Sequence, residues 1–300
     1  MSTIYSLLGI YLFILLGYVA KKSLKEKIDE KSLVFLSIYF LQPILILWGF
    51  STKTLDFSTI QAPLIFLLIS FVLLGLVLIL APLLFSDSKD RSIFIVTSII
   101  ANTGNLGIPI GLMLFGQESV IYTTFINIAN IFLVYVVGVY FYSRGNYSLK
   151  QSLLNVIKLP AIWFTIIAIM LNLANFQYPK ELLTPLQMGG YTSMVIQLII
   201  FGIYLDSVKL KSIDWKMITS HTLFKFILVP IVSIVMLKLF SLDELVYKVV
   251  LLELIVPIAV MNVNLASLYS CKPDKVALLT FISSLIFLGY FIWFAKEWLL

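Results

Sequence analysis

Charged residues, cysteine and histidine are all scarce in this sequence. Only 12% of its 300 residues are charged and 61% are hydrophobic, whereas about a quarter of the residues in a soluble domain are charged. The composition therefore excludes an ordinary soluble protein and predicts an integral membrane protein. Cys271 is the single cysteine, so an intrachain disulfide is excluded. The single histidine, His221, has no cysteine or acidic neighbours, so we interpret it as structural.

Catalytic motifs are also missing. The sequence has no Ser/His/Asp set, no HExxH pair and no Walker lysine. The segment Gly104-Asn105-Leu106-Gly107 does not match the GxGxxG fingerprint, and it follows no strand. We therefore expect that the protein is not an enzyme and that it uses no metal or cofactor.

Apolar runs long enough to cross a bilayer are abundant. A membrane-spanning helix needs about 20 mainly apolar residues. The first run has no basic segment before it and no cleavage site, so we expect a retained first span rather than a signal peptide. The sequence thus predicts an all-α, multi-pass membrane protein with one domain over residues 1–300. Ten runs qualify as spans 1 to 10: 3–20, 32–50, 60–85, 92–115, 119–142, 152–173, 182–205, 218–240, 245–269 and 275–298.

The basic residues indicate how these spans are oriented. The odd-numbered loops and the span ends beside them hold fifteen Lys and Arg residues, and the even-numbered loops with the C-terminus and the span ends beside them hold four. Because cytoplasmic loops are enriched in Lys and Arg, we predict that both termini lie outside, in a cell (plasma) membrane. The formal net charge of +6 then needs no nucleic-acid partner, and the lipid bilayer is the expected surrounding. Lys225 and Lys238, near the two ends of span 8, are expected to extend to the membrane surface.

Spans 4 and 9 contain residues that interrupt a helix. Residues 102–109 read Asn-Thr-Gly-Asn-Leu-Gly-Ile-Pro; glycine costs roughly 1 kcal/mol against alanine in a helix, and proline removes a backbone donor. Asn102 and Pro109 are seven residues apart in span 4, as are Pro257 and Asn264 in span 9. Five spans per half would make the two halves inverted in topology. Two interrupted spans at matching positions predict a binding site near the midplane of a secondary transporter.

The two breaks are expected to meet at a similar depth and to bind an anion. At about 1.5 Å per residue, Asn102 lies ~15 Å into span 4 and Pro257 ~18 Å into span 9. The N-terminal end of a half-helix carries partial positive charge and unpaired N–H groups, so it can bind an anion without a basic side chain. Alternatively, the polar side chains only pair with backbone groups that the breaks set free. We favour that alternative for Thr103 and ligand contact for Asn102. The candidate substrate-binding residues in these two spans are Asn102, Thr103, Gly104, Asn105, Pro109, Pro257, Asn262 and Asn264.

Glu253 is the acidic residue deep in a span, one turn before Pro257. A carboxyl group in a bilayer is costly and usually faces the bundle interior or a pathway. Burial favours its neutral form, which makes Glu253 a candidate for proton coupling. The equal alternative is a structural glutamic acid that fills a gap in the backbone hydrogen bonding.

Further amide side chains lie in spans 2, 5 and 7. Asn127 and Asn130 in span 5 are three residues apart and therefore share a helix face; with Tyr135 they could line a cavity. Gln42 in span 2 is a further candidate ligand, and Gln197 in span 7 is its counterpart by position. Helix kinking and helix–helix hydrogen bonding are the alternatives for these residues.

These motifs resemble those of the auxin efflux carrier family, which includes plant carriers and many prokaryotic permeases. Residues 102–109 followed by Gly116 resemble its fourth-span signature, and Pro257-Ile258-Ala259-Val260 resembles its ninth. Gly202 resembles a glycine of its seventh span. The resemblance implies ten spans in two inverted repeats, with spans 4 and 9 crossing at their prolines, and a homodimer. It also implies a scaffold part, residues 1–50 and 152–205, and a mobile transport (crossover) part, residues 60–142 and 218–298.

The resemblance also implies a function. A member of this family would move a small organic anion, such as malate, malonate or an indole acid, by alternating access. The carboxylate would contact the asparagine that Asn102 matches. One alternative is a sodium-coupled organic-anion symporter of the bile-acid type, for which only Glu253 offers a deep carboxylate. Another alternative is a membrane module that senses lipid or ligand without transport.

Overall fold

A computed structural model describes residues 2–143, 158, 160–206 and 214–299. This part of the chain consists of helices and connecting turns and contains no β-strand. The helices are α1 (Ser2–Leu24), α2 (Glu30–Leu36), α3 (Gln42–Ser51), α4 (Phe57–Leu84), α5 (Ser88–Ile99), α6 (Ile108–Phe115), α7 (Ser119–Leu133), α8 (Val139–Ser143), α9 (Pro160–Leu173), α10 (Lys180–Asp206), α11 (Trp215–Leu223), α12 (Val229–Leu237), α13 (Glu244–Ile255), α14 (Met261–Leu268) and α15 (Pro273–Trp298). Four basic loop residues used for the orientation, and part of span 6, lie outside the described residues: Arg144, Lys150, Lys209, Lys211, and positions 152–157 and 159.

Short turns extend several of these helices. A 3₁₀ turn follows α1 (Lys25–Lys27), and π-helical turns join α2 to α3 (Ser37–Leu41), α7 to α8 (Val134–Gly138) and α11 to α12 (Phe224–Leu228). A fourth π-helical turn, Thr103–Gly107, leads into α6. Such turns inside α-helices are frequent at functional sites.

The prediction of an all-helical membrane protein is confirmed for the part of the chain that is described. Helix α1 covers span 1, and α9 covers the described part of span 6; spans 4 and 9 are each divided between two helices. Large apolar side chains face outward, as on α4, where Leu83 is 76% exposed. Such a surface suits lipid. Among the described residues, six helical stretches are long and apolar enough to cross a membrane: Ser32–Ser51, Thr59–Leu84, Ser119–Ser143, Lys180–Ile203, Trp215–Leu237 and Pro273–Trp298.

Charged residues gather where α5, α11 and α15 begin. The Asp87 carboxylate accepts the backbone N–H of Asp90 and caps α5, and Lys272 lies 2.8 Å from the carboxylates of both residues. Lys275 bridges Asp90 to Asp214, which caps α11. The hydrogen bond from Lys272 lowers the pKa of Asp87 to about 2. These ion pairs tie three helix starts together at the surface formed by the odd-numbered loops.

Helices α1 and α10 pack at backbone contact, and two glycines make this possible. A Cβ atom at Gly17 would lie 2.1 Å from the carbonyl oxygen of Ile199, and one at Gly202 would lie 1.9 Å from that of Ile14. Both distances are far below a van der Waals contact. Gly202, for which the sequence suggested a family resemblance, is therefore a packing glycine.

Candidate functional site

The break in span 4 begins where α5 ends. The N–H of Ile100 makes the last helical bond, to the Val96 carbonyl, at 2.9 Å. After Ala101, the Asn102 carbonyl accepts the N–H groups of Leu106 and Gly107, both at 3.1 Å. These two bonds start the π-helical turn Thr103–Gly107. The helix axis is thus interrupted for about three residues and then resumes.

Pro109 is not where the helix breaks. It lies buried just after the π-helical turn, within a helix that runs without interruption from Thr103 to Phe115. The expectation that span 4 crosses its counterpart at this proline is therefore wrong. The interruption comes two turns earlier, at Ala101 and Asn102.

The break in span 9 meets the break in span 4 directly. Helix α13 ends at Ile255, and Pro257 has no N–H with which to continue it. The N–H of Asn102 donates to the Pro257 carbonyl at 2.8 Å, and the N–H of Ala259 donates to the Ile100 carbonyl at 3.1 Å. These reciprocal bonds form a single antiparallel bridge between Ala101 and Ile258. We call this contact the crossing.

Asn262 completes the hydrogen bonds of the crossing. Its Nδ2 donates to the carbonyls of Ala259, at 2.9 Å, and Ile100, at 3.4 Å. The Tyr142 hydroxyl donates to its Oδ1 at 3.3 Å. Fully buried, Asn262 pairs with backbone groups freed by the breaks.

Helix α7 supports the crossing through two asparagines on one face. The Asn130 Nδ2 donates to the Ala101 carbonyl, at 2.8 Å, and to the Thr103 hydroxyl, at 3.0 Å. That hydroxyl donates in turn to Oδ1 of Asn127, at 2.8 Å. The chain of bonds holds the first turn after the break in a fixed position.

A cavity of about 140 Å³ lies beside the crossing. The described residues in its walls carry amide, hydroxyl and apolar groups and no charged side chain. The predicted candidates that line it are Gln42, Asn102, Thr103, Gly104, Asn105, Asn127, Asn130 and Asn264, together with Tyr135 and Gln197. The predicted candidates that do not line it are Pro109, Pro257, Asn262 and Glu253.

Other lining residues were missed by the sequence argument. They are mostly small or apolar, and nothing local distinguishes them from residues that face lipid or the core. Ser37 is the exception, since a hydroxyl inside an apolar span is a usable signal. The missed residues are Val34, Ser37, Ile38, Ile131, Val134, Ala161, Ile200 and Met261.

Asn102 lines this cavity and carries a donor that is unused among the described residues. The residue is 3% exposed, and its Nδ2 has no hydrogen-bond partner among the described residues. Next to it, Thr103, Gly104 and Asn105 begin a helical turn and also line the cavity. The first N–H groups of such a turn have no partner within it. The cavity wall at this point therefore offers several hydrogen-bond donors and a partial positive charge.

Comparison with known proteins shows the family of the chain. Residues 2–293 match a family model described as membrane transport protein. The chain belongs to this family of transporters. The family includes the auxin efflux carriers, so the resemblance drawn from spans 4 and 9 is confirmed. The chain is also 28% identical over 287 residues to an uncharacterized transporter of Methanocaldococcus jannaschii, an alignment that covers 92% of each chain.

Glu253 of the transporter lies behind the π-helical turn rather than in the cavity. It is fully buried, and neither carboxyl oxygen has a hydrogen-bond partner in the described part of the chain. A Cβ atom added to Gly107 would lie 2.0 Å from Oε2 of Glu253. The glycine at position 107 therefore makes room for this carboxyl group.

Lys225 of the transporter does not reach the membrane surface, contrary to expectation. It is 1% exposed, and its Nζ donates to the Leu254 carbonyl at 2.9 Å. The partner exists because α13 ends one residue later and leaves that carbonyl without a helical bond. Lys238, by contrast, is exposed, with its Nζ 5.9 Å from the centre of the Trp298 ring. His221 is fully buried.

Proposed function

We propose that this transporter moves a small organic anion, a carboxylate, by secondary transport through the cavity at the crossing. The observation that carries the proposal is the Asn102 Nδ2, a buried donor without a partner among the described residues, on a residue that lines the cavity. An unpaired buried donor costs about 1–3 kcal/mol. A bound carboxylate oxygen would remove that cost.

The rest of the cavity supports the same substrate class. A helical N-terminus with neutral amides binds an anion without a buried lysine or arginine, so the anion can also be released. At about 140 Å³ the cavity is smaller than the roughly 300–1,000 Å³ of pockets for drug-sized ligands. This size favours malate or malonate over an indole acid. The apolar lining residues suit a short carbon chain.

We also propose the arrangement of spans that the family resemblance implies. Ten spans would form two inverted repeats, with a scaffold part (1–50 and 152–205) and a transport part (60–142 and 218–298). The reciprocal hydrogen bonds at the crossing support it, because each half of the chain contributes one interrupted helix. We further propose a homodimer in the plasma membrane with both termini outside.

The cavity favours alternating access with one side open. Val34 and Ser37 near the start of span 2, Ala161 at the start of α9, and Ile200 near the end of α10 all line it. These helix ends adjoin the odd-numbered loops. If those loops are cytoplasmic, this conformation faces inward.

On the opposite side, α3 and α7 are in close contact. The rings of Phe50 and Phe125 are 4.9 Å apart, and a Cβ atom at Gly49 would lie 3.1 Å from the Thr124 hydroxyl. Beyond them, the Lys53 Nζ donates to the Tyr122 hydroxyl at 2.5 Å. We propose that this contact is the outer gate, closed by the Lys53–Tyr122 bond.

Removing the Lys53 ammonium is expected to open this gate more often. A cysteine introduced by Thr124→Cys would lie under the gate, and the native Cys271 is fully buried, so background labelling is low. In this background, Lys53→Met should raise the rate of labelling by an impermeant maleimide about fivefold, which corresponds to ~1 kcal/mol for a hydrogen bond to a charged group near the surface. Lys180→Met, an exposed lysine of α10, is the control. Equal labelling rates in Lys53→Met and Lys180→Met would show that Lys53 does not hold the gate closed.

Asn102→Ala is the direct test of the proposed site. Uptake of labelled malate, malonate and an indole acid into proteoliposomes is measured for the wild type and the variant. Because a hydrogen bond to a charged group contributes about 1.5–3 kcal/mol, we expect transport of the preferred carboxylate to fall at least ~10-fold. The loss of transport should be greatest at low substrate concentration, because the variant is expected to bind the substrate less tightly.

Two comparisons make this test specific. Gln177→Ala removes an exposed amide from the α9–α10 loop and should transport like the wild type. The melting temperature of Asn102→Ala should stay close to the wild-type value, since Nδ2 of Asn102 has no partner to lose in the described part of the chain. Unchanged carboxylate uptake in Asn102→Ala would rule out the assigned site.

Glu253 stays our candidate for proton coupling. Its carboxyl group has no hydrogen-bond partner among the described residues and lies against the turn that begins at the cavity. A proton could therefore be gained or lost there together with a movement of that turn.

A further inference from the structure

We propose that the Lys225 ammonium group is a built-in cation for the crossing. It takes the place of the monovalent metal ion that a carrier driven by a cation gradient would bind there. The inference rests on the proposed transport function and states which group stands where a coupling cation would otherwise bind.

The first observation is the position of the charge. Lys225 lies in the π-helical turn Phe224–Leu228 between α11 and α12, and it is 1% exposed. The ion pairs of the described residues involve other lysines. Its one hydrogen bond there goes to the Leu254 carbonyl. A buried charge is costly unless it is compensated, so this carbonyl must be a favourable partner.

The second observation is that the Leu254 carbonyl belongs to the C-terminal end of a broken helix. Leu254 is in the last turn of α13, the negative end of a helix dipole. In an unbroken helix its carbonyl would accept the N–H of Ile258, which the break moves away. In secondary transporters, half-helix C-terminal ends and unwound carbonyls coordinate coupling ions. Lys225 therefore occupies the kind of position at which such an ion binds.

The third observation is the contrast with the other broken helix. Beyond the end of α5, the Ile100 carbonyl accepts the Ala259 N–H, and the Ala101 carbonyl accepts the Asn130 amide. All of these donors are neutral. Of the two helix ends at the crossing, the end of α13 is the one that accepts a hydrogen bond from a lysine side chain.

The ionisable neighbours do not change this assignment. His221 lies one turn before Lys225, and neither of its ring nitrogens has a hydrogen-bond partner in the described part of the chain. Glu253 precedes Leu254, but its carboxyl group lies against Gly107. The ammonium group is therefore paired with the helix end and not with an acidic side chain.

The test is thermal stability of purified protein in sodium, lithium or choline chloride, without substrate. Three variants differ in the charge and the space that they leave beside the Leu254 carbonyl. Lys225→Ala removes the charge and leaves space, Lys225→Met removes the charge and fills the space, and Lys225→Arg keeps the charge. We expect sodium or lithium to raise the melting temperature of Lys225→Ala by about 3 °C, relative to choline, at ~10 times the dissociation constant. The wild type, Lys225→Met and Lys225→Arg should not respond.

A sodium-specific stabilisation of the wild type would overturn the proposal, as would a Lys225→Ala variant that melts like the wild type in every salt. If Lys225→Ala does not fold in any of the three salts, the result for Lys225→Arg decides. Equal melting temperatures of Lys225→Arg in sodium and choline support the proposal, and a higher melting temperature in sodium contradicts it. Because no substrate is present, failure of carboxylate transport would leave this measurement valid. The two proposals can therefore fail separately.

Discussion

Gly107→Ala is expected to destabilise the transporter, although alanine is the better helix former by about 1 kcal/mol. The added Cβ would lie 2.0 Å from Oε2 and 2.5 Å from Cδ of Glu253. Glu253 is fully buried, so its carboxyl group has no solvent to move into. Overpacking of this kind costs about 1–3 kcal/mol, which should lower the melting temperature by several degrees. Transport should fall as well, because the turn that carries the cavity donors is displaced.

A double-mutant cycle tests whether Glu253 is the obstruction. Glu253→Ala removes the carboxyl group, so Gly107→Ala should cost little in that background. Gly75→Ala in α4 is the matched control, since nothing lies within 4 Å of the added Cβ. It should be neutral or slightly stabilising. Additive losses from Gly107→Ala and Glu253→Ala would show that the two positions do not interact.

Gly202→Ala is expected to have the largest effect on folding. Its Cβ would lie 1.9 Å from the carbonyl oxygen of Ile14 and 2.9 Å from the backbone nitrogen of Tyr18. No side-chain rotation can relieve contact with backbone atoms, so α1 and α10 must move apart along their length. We expect a loss at or above the ~3 kcal/mol upper range for overpacking. Little folded protein should be recovered.

The measurement for Gly202→Ala is the yield of monodisperse protein by size-exclusion chromatography, followed by the melting temperature. Gly289→Ala in α15 has open space around the added Cβ and should behave like the wild type. A Gly202→Ala protein with normal yield and melting temperature would contradict the close packing of α1 on α10.

The sequence predicted the interrupted helices because proline and glycine act locally. Pro257 does end α13, and the segment after Ala101 does interrupt span 4. Pro109 misled the prediction, because it lies just after the π-helical turn in a helix that continues from Thr103 to Phe115. A proline does not end every helix that contains it, and the sequence does not show that a π-helical turn precedes this one.

Side-chain partners across the fold were harder to predict. The predicted amide side chains stand out in apolar runs, and most of them line the cavity. Lys225 was expected at the membrane surface because it lies near the end of a span. Its partner, the Leu254 carbonyl, becomes available only through a break in a distant helix. Gly202 was noticed by family resemblance, but its reason, contact with the Ile14 backbone, depends on how α1 and α10 pack.

The bridge between Ala101 and Ile258 also has a consequence for how the protein is made. Its two hydrogen bonds join backbone groups from opposite halves of the chain. Until the second half has entered the membrane, the N–H of Asn102 and the carbonyl of Ile100 have no partners, and the bilayer supplies none. Contacts so distant in sequence form late. The first half should therefore depend on a chaperone, on water or on non-native pairing during synthesis, and the site should assemble only when insertion of the chain is nearly complete.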